Sequence, residues 1–146
     1  MAKVNIKKLD EKAVIPTYGS QLSAGADLYA CIDGALTIDV GETVLVHTGI
    51  AMEIPVGYVG LVFARSGLAS KKGLAPANKV GVIDSDYRGE IMVALHNHSK
   101  EARVIEAGER IAQIALVPYL TADFNVVDDL SDTDRGAGGF GSTGSK

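Results

Sequence analysis

Cysteine is nearly absent from this chain, and long apolar runs and a basic excess are wholly so; each absence removes a class of protein. With Cys31 as the single cysteine, no internal disulfide can form. In the alternating stretch Leu28-Tyr-Ala-Cys-Ile32 it reads as a small buried hydrophobe rather than a nucleophile. No apolar run approaches the roughly 20 residues that span a bilayer. The N-terminal Met1-Ala-Lys-Val-Asn-Ile lacks the apolar core of a signal peptide, so a cytoplasmic protein with no membrane partner is expected. The formal net charge of −4 removes the basic footprint of a nonspecific nucleic-acid binder. It leaves room for a small anionic ligand, because distant acids are screened beyond a Debye length of about 8 Å.

What is present fits one soluble domain. A chain of 146 residues, 47% hydrophobic and 22% charged, is long enough for a real core and short for two. Short β-branched runs broken by Gly, Pro and Asp predict strands over 4–9, 27–32, 36–38, 43–52, 58–64, 79–83, 91–96, 103–105, 111–117 and 124–127. Val44, Val46, Thr48 and Ile50 repeat with the period of two that a half-buried strand requires. Many short strands separated by turns imply an all-β sandwich, barrel or jelly roll. One helix is expected over 66–72, with Ser66 as its N-cap and Gly73 as its stop. Its N-terminus, with Arg65 directly before it, is either a phosphate site or a capped connector.

The composition changes after Val127. Asp128, Asp129, Asp132 and Asp134 precede a glycine-rich end, which divides the chain into a domain over 1–127 and a flexible arm over 128–146. A lone Phe140, and Arg135 as the one base set against the preceding acids, fit plain disorder poorly. They suit an arm that orders on a ligand, its glycine N–H groups and the Ser142 and Thr143 hydroxyls wrapping phosphate while Phe140 stacks on a base. No Gly-Lys-Ser/Thr ending makes it a Walker loop.

The densest chemistry is Gly81-Val-Ile-Asp-Ser-Asp-Tyr-Arg-Gly-Glu90. Val82 and Ile83 read as a strand that ends at Asp84, which is placed half sheltered as a general base for water or as one acid of a hairpin turn. His96 and His98 share a strand face, but no third ligand stands at a recognisable spacing, and His47 is read as structural.

Together with Ala24-Gly-Ala-Asp-Leu28, Ala64-Arg-Ser-Gly-Leu-Ala69, Gly108-Glu-Arg-Ile-Ala-Gln113 and Arg135-Gly-Ala-Gly-Gly-Phe-Gly-Ser-Thr-Gly144, this segment resembles, in order and spacing, the five motifs of the homotrimeric deoxyuridine triphosphate nucleotidohydrolases, the dUTPases. The resemblance runs from about residue 20 to the C-terminus and selects the jelly roll among the all-β options. It implies hydrolysis of dUTP to dUMP and pyrophosphate by water attack on the α-phosphorus, limiting uracil incorporation into DNA and supplying dUMP for thymidylate synthesis. Asp84 then activates the water, and Arg65, Ser66, Gly67 and Gln113 hold phosphates with Arg135, Ser142 and Thr143 of the arm. Asn78 and the strand Gly81, Val82 and Ile83 read uracil, with Tyr87 against the deoxyribose, Met92 lining the pocket and Phe140 over the base. Mg²⁺ is implied by the triphosphate, with Asp27 acting indirectly through metal-bound water. A trimer with sites shared between subunits is implied as well. Ten extended residues beyond Leu130 reach roughly 33 Å, against a radius of gyration of about 15 Å. A dCTP deaminase of the same fold and a non-catalytic jelly-roll oligomer are the alternatives. Asp84 with Tyr87, and Arg65-Ser-Gly rather than Arg-Ser-Ser, speak against the deaminase.

Overall fold

The structure, a computed structural model, describes residues 3–139. Among them the strands are β1 (Asn5–Lys8), β2 (Thr17–Tyr18), β3 (Ala26–Tyr29), β4 (Ala35–Ile38), β5 (Thr43–His47), β6 (Ile50–Glu53), β7 (Tyr58–Phe63), β8 (Leu74–Pro76), β9 (Gly81–Ile83), β10 (Met92–Asn97), β11 (Arg103–Glu106) and β12 (Arg110–Pro118). All pairings are antiparallel. The largest sheet runs β2-β3-β12-β7-β9, a second runs β5-β10-β8, and β1-β6 and β11-β4 pair separately. The all-β class with one short helix is as expected.

Alternation drives the burial. On β10, Val93, Leu95 and Asn97 face inward between half-exposed neighbours, and Val46, Thr48 and Ile50 keep the inward period across the β5–β6 corner. With Leu28, Ile38, Ile54, Leu74, Ile91, Ile105 and Ile111 they build an aliphatic core. Asn97 is fully buried yet satisfied. Its amide donates to Ile38 O at 2.9 Å and Glu101 O at 2.8 Å, while its Oδ1 accepts from Ser99.

Four sequence expectations change. The run 43–52 is two strands, broken where Gly49 takes φ +67°. The stretch 124–127 forms no strand, and Phe124 and Val126 are 90% and 96% exposed, because nothing in the described chain pairs with it. Ser66 does not cap the helix. The turn is wound wide over Leu68–Lys72, closing with the Gly73 N–H on Leu68 O, while the Ser70 hydroxyl donates back to Ser66 O. Cys31 is half-buried rather than buried, and burial first, then nearby acids, push its thiol up, which disfavours the thiolate. None of the described helices is long and apolar enough to cross a membrane.

Candidate functional site

Most of the expected site residues that are described fall into two clefts of one chain, and the larger sheet contributes to both. The first, about 420 Å³, is lined by Gly19, Ser23, Ala24, Gly25, Asp27, Arg65, Ser66, Gly67, Arg110 and Gln113. Its floor is set by register. Gln113 on β12 stands opposite Asp27 on β3 and Phe63 on β7, so the residues just beyond β7 arrive beside Asp27. The Asp27 carboxylate is buried and takes two guanidiniums: Arg65 Nε donates to Oδ1 at 2.7 Å, and Arg110 Nη1 donates to Oδ2 at 3.2 Å. Charge-assisted bonds of this kind fix both heads. Two arginines on one carboxylate leave a net positive charge in the cleft, because no second acid lines it.

Gln113 is placed with equal care. Its Nε2 donates to Ala64 O at 2.9 Å, leaving one amide N–H free to donate elsewhere. Gly25 leaves the room this amide occupies, since a Cβ there would strike Gln113 Oε1 and the side chain would have to shift.

Arg110 escaped the sequence reading, although it lies in the Gly108–Gln113 segment. A regular strand would put Arg110 and Gln113 on opposite faces. A bulge between Arg110 and Ala112 adds one residue, so Arg110 pairs with Tyr29 and Gln113 with Asp27, both on one face of β3.

The second cleft, about 210 Å³, is lined by Leu45, Val82, Ile83, Asp84, Tyr87, Glu90 and Met92. A smaller hollow of about 90 Å³ continues it past Asn78, Gly81, Val82, Ile83 and Met92. Among the described residues, strand β9 is the edge of its sheet and pairs only with β7, which leaves its outer backbone groups without a strand partner. Asn78 is carried to this edge by a turn in which Lys79 adopts φ +65°, uncommon for a non-glycine residue. Gly81 leaves room for it, a Cβ there lying 3.4 Å from Asn78 Nδ2. Tyr87 is half-exposed and its hydroxyl donates to Glu90 O at 2.9 Å. Asp84 is exposed, not half sheltered, standing just past the end of β9, which is an edge strand among the described residues.

The two clefts share no lining residue, Arg65 lining the first and Asp84 the second. Arg135 reaches neither, its Nε donating to Gly138 O in a local turn. Phe140, Ser142 and Thr143 lie outside the described residues. Arg88 turns back on its own hairpin, donating to Ser85 O and Tyr87 O. His96 Nδ1 bonds Thr43 Oγ1 at 3.0 Å. The described residues hold no group of three or more His, Cys, Asp or Glu fit for a metal, and both oxygens of the one acid in the first cleft are engaged by arginine. These residues do not fit a resident Mg²⁺ cage.

Comparison with known proteins agrees with the motif reading. The dUTPase family profile matches residues 11–144. A deoxyuridine 5'-triphosphate nucleotidohydrolase of Desulfitobacterium hafniense is 51% identical over 143 residues, covering 97% of this chain and 95% of its own. That of Paraburkholderia phytofirmans is 48% identical over 145 residues, covering 97% and 98%. Among solved structures, the Staphylococcus bacteriophage 80alpha dUTPase with dUPNHPP superposes with a TM-score of 0.88 at 30% identity, covering 99% of each chain. The chain therefore belongs to the dUTPase family.

Proposed function

We propose that this protein hydrolyses dUTP to dUMP and pyrophosphate, keeping uracil out of DNA and supplying dUMP for thymidylate synthesis. The observation that carries it is the pairing of an open strand edge ending in a carboxylate, β9 with Asp84, with a separate cleft of net positive charge built on Asp27. The first suits a flat polar base and the second a polyphosphate.

Uracil lies along β9, exchanging hydrogen bonds with its backbone as another strand would, and the Asn78 amide completes the edge. Cytosine places a donor where uracil has an acceptor, and the resulting unpaired groups reject it. Tyr87 packs against the deoxyribose, leaving no room for a 2′-hydroxyl, and Met92 lines the pocket. Arg65, Arg110, Ser66, Gly67 and the free Gln113 N–H hold the phosphates, so that positioning and charge stabilisation supply most of the rate. Asp84 accepts the proton of the water that attacks the α-phosphorus.

Were Mg²⁺ carried in with the triphosphate, Asp27 would act on it only indirectly, the second lone pair of each carboxylate oxygen accepting from its waters.

The active form is a homotrimer, each site taking the phosphate cleft, the Asp84 edge and the arm from more than one chain. Support comes from the distinct linings of the two clefts, the local engagement of Arg135, and the exposure of Leu120, Phe124, Val126 and Leu130 along a segment that pairs with no strand among the described residues. On this reading Arg135, Phe140, Ser142 and Thr143 close over a neighbour's nucleotide, and the chain divides into a catalytic domain over 1–127 and an arm over 128–146. The test is direct: with dUTP and Mg²⁺, pyrophosphate should appear, and with dCTP neither pyrophosphate nor ammonia. Silence on dUTP, or ammonia from dCTP, would overturn the proposal.

A further inference from the structure

Glu90 closes the turn that carries Asp84 and Tyr87, and none of the roles above uses its carboxylate. Its side chain is only 21% exposed, and both oxygens engage the corner between β5 and β6. The Gly49 N–H donates to Oε1 at 2.7 Å, and His47 Nδ1 donates to Oε2 at 2.9 Å. Its own carbonyl accepts the Tyr87 hydroxyl at 2.9 Å. One residue thus grips the frame with its side chain and the Tyr87 ring with its backbone.

The corner it grips is closely packed and hydrogen-bonded. Gly49 stands at φ +67°, and a Cβ there would lie 2.8 Å from both Ala13 Cβ and Cys31 Sγ. The following residue is stitched to the same corner: the Ile91 N–H donates to Ile50 O at 2.9 Å, and the Thr48 hydroxyl donates to Ile91 O. The turn itself has little else to fix it. Its bonds run from the Tyr87 N–H to Asp84 O and from Arg88 to Ser85 O and Tyr87 O, all internal. Its other tie, Arg88 to Glu53 at 3.6 Å, is half-exposed on both sides and worth little.

We propose that Glu90 is a positioning residue that latches the 84–90 turn to the β5–β6 corner and thereby sets the Tyr87 ring and the Asp84 carboxylate in their shared cleft. The effect on activity rests on the roles proposed for those two residues; the effect on the turn does not. A hydrogen bond to a charged acceptor is among the stronger local restraints, and its loss frees the turn without touching the phosphate cleft.

The variants are Glu90→Ala, Glu90→Asp, whose shorter arm cannot span to Gly49 and His47 together, and Glu90→Gln, whose amide oxygen still accepts from Gly49. Two readouts are needed. Amide hydrogen exchange over 84–90, relative to β12, should rise about tenfold in the Ala and Asp variants and stay near wild type in Gln. In the same two variants kcat for dUTP should fall and UTP-over-dUTP discrimination relax, while inhibition by pyrophosphate stays at its wild-type value. Unchanged exchange in folded Glu90→Asp would overturn the latch, whatever the enzyme's substrate proves to be. Raised exchange with unaltered kcat and discrimination would confine Glu90 to stability and overturn its positioning role. A parallel loss of pyrophosphate inhibition would show a general collapse of the site and would overturn it too.

Discussion

Asp27 holds Arg65 across the sheet, Nε to Oδ1 at 2.7 Å, and the same carboxylate holds Arg110, so a single buried acid sets the geometry of two bases. Its removal should cost binding and stability together. For Asp27→Asn we expect the KM for dUTP to rise about tenfold, as two undirected guanidiniums lose their fork geometry. A loss of about 1–3 kcal/mol in unfolding free energy should accompany it, from partly buried cations left unpaired. Kinetics and urea titration check both. An unchanged KM would mean that the arginines need no anchor.

Gly25 offers a finer probe of the same cleft. In Gly25→Ala the new methyl collides with Gln113 Oε1, and the amide must leave Ala64 O. A drop of about tenfold in kcat/KM is expected from the misplaced donor, with little change in far-UV circular dichroism. Wild-type kinetics would show that Gln113 does not need its observed position.

Asp84→Asn should retain the fold and nucleotide affinity while kcat falls by at least about 10²-fold, since the amide keeps the shape and cannot accept the water's proton. Single-turnover measurements with dUTP separate binding from chemistry. Near-normal turnover would remove Asp84 from the role of base.

Tyr87→Ala should relax sugar selection, because the ring lies in the Asp84 cleft and its hydroxyl is tied to Glu90 O. The readout is the ratio of specificity constants for UTP and dUTP. An unchanged ratio places the selectivity on another group.

Much of this was legible from local pattern, and what was not had non-local causes. The inward series Val46, Thr48 and Ile50 reads correctly because burial period survives a broken strand, and the break itself is marked by Gly49, an interruption that the unbroken period hides. Strand β8 escaped notice because three residues ending in Pro76 carry too little pattern, and β2 is shorter still. The segment 124–127 has strand composition but no partner among the described residues, so propensity overstated it. At the site, Asp27, Arg65 and Gln113 were found by motif. Arg110 was not, because a bulge reverses the face that simple alternation assigns to it. The exposure of Asp84 depends on β9 being an edge, which is a property of topology rather than of the residues around it.

The central claim, that Asp84 of one chain works with the arm of another, is tested most directly by complementation. Two inactive forms are prepared, Asp84→Asn with its arm intact and a chain with wild-type Asp84 truncated before Arg135, then unfolded and refolded together. Mixed trimers in which an intact Asp84 meets a neighbour's intact arm should recover dUTP hydrolysis, at a level set by the mixing ratio. If verified mixed trimers stay silent while each parent binds dUTP, the arm serves its own chain's Asp84 and the shared site is contradicted.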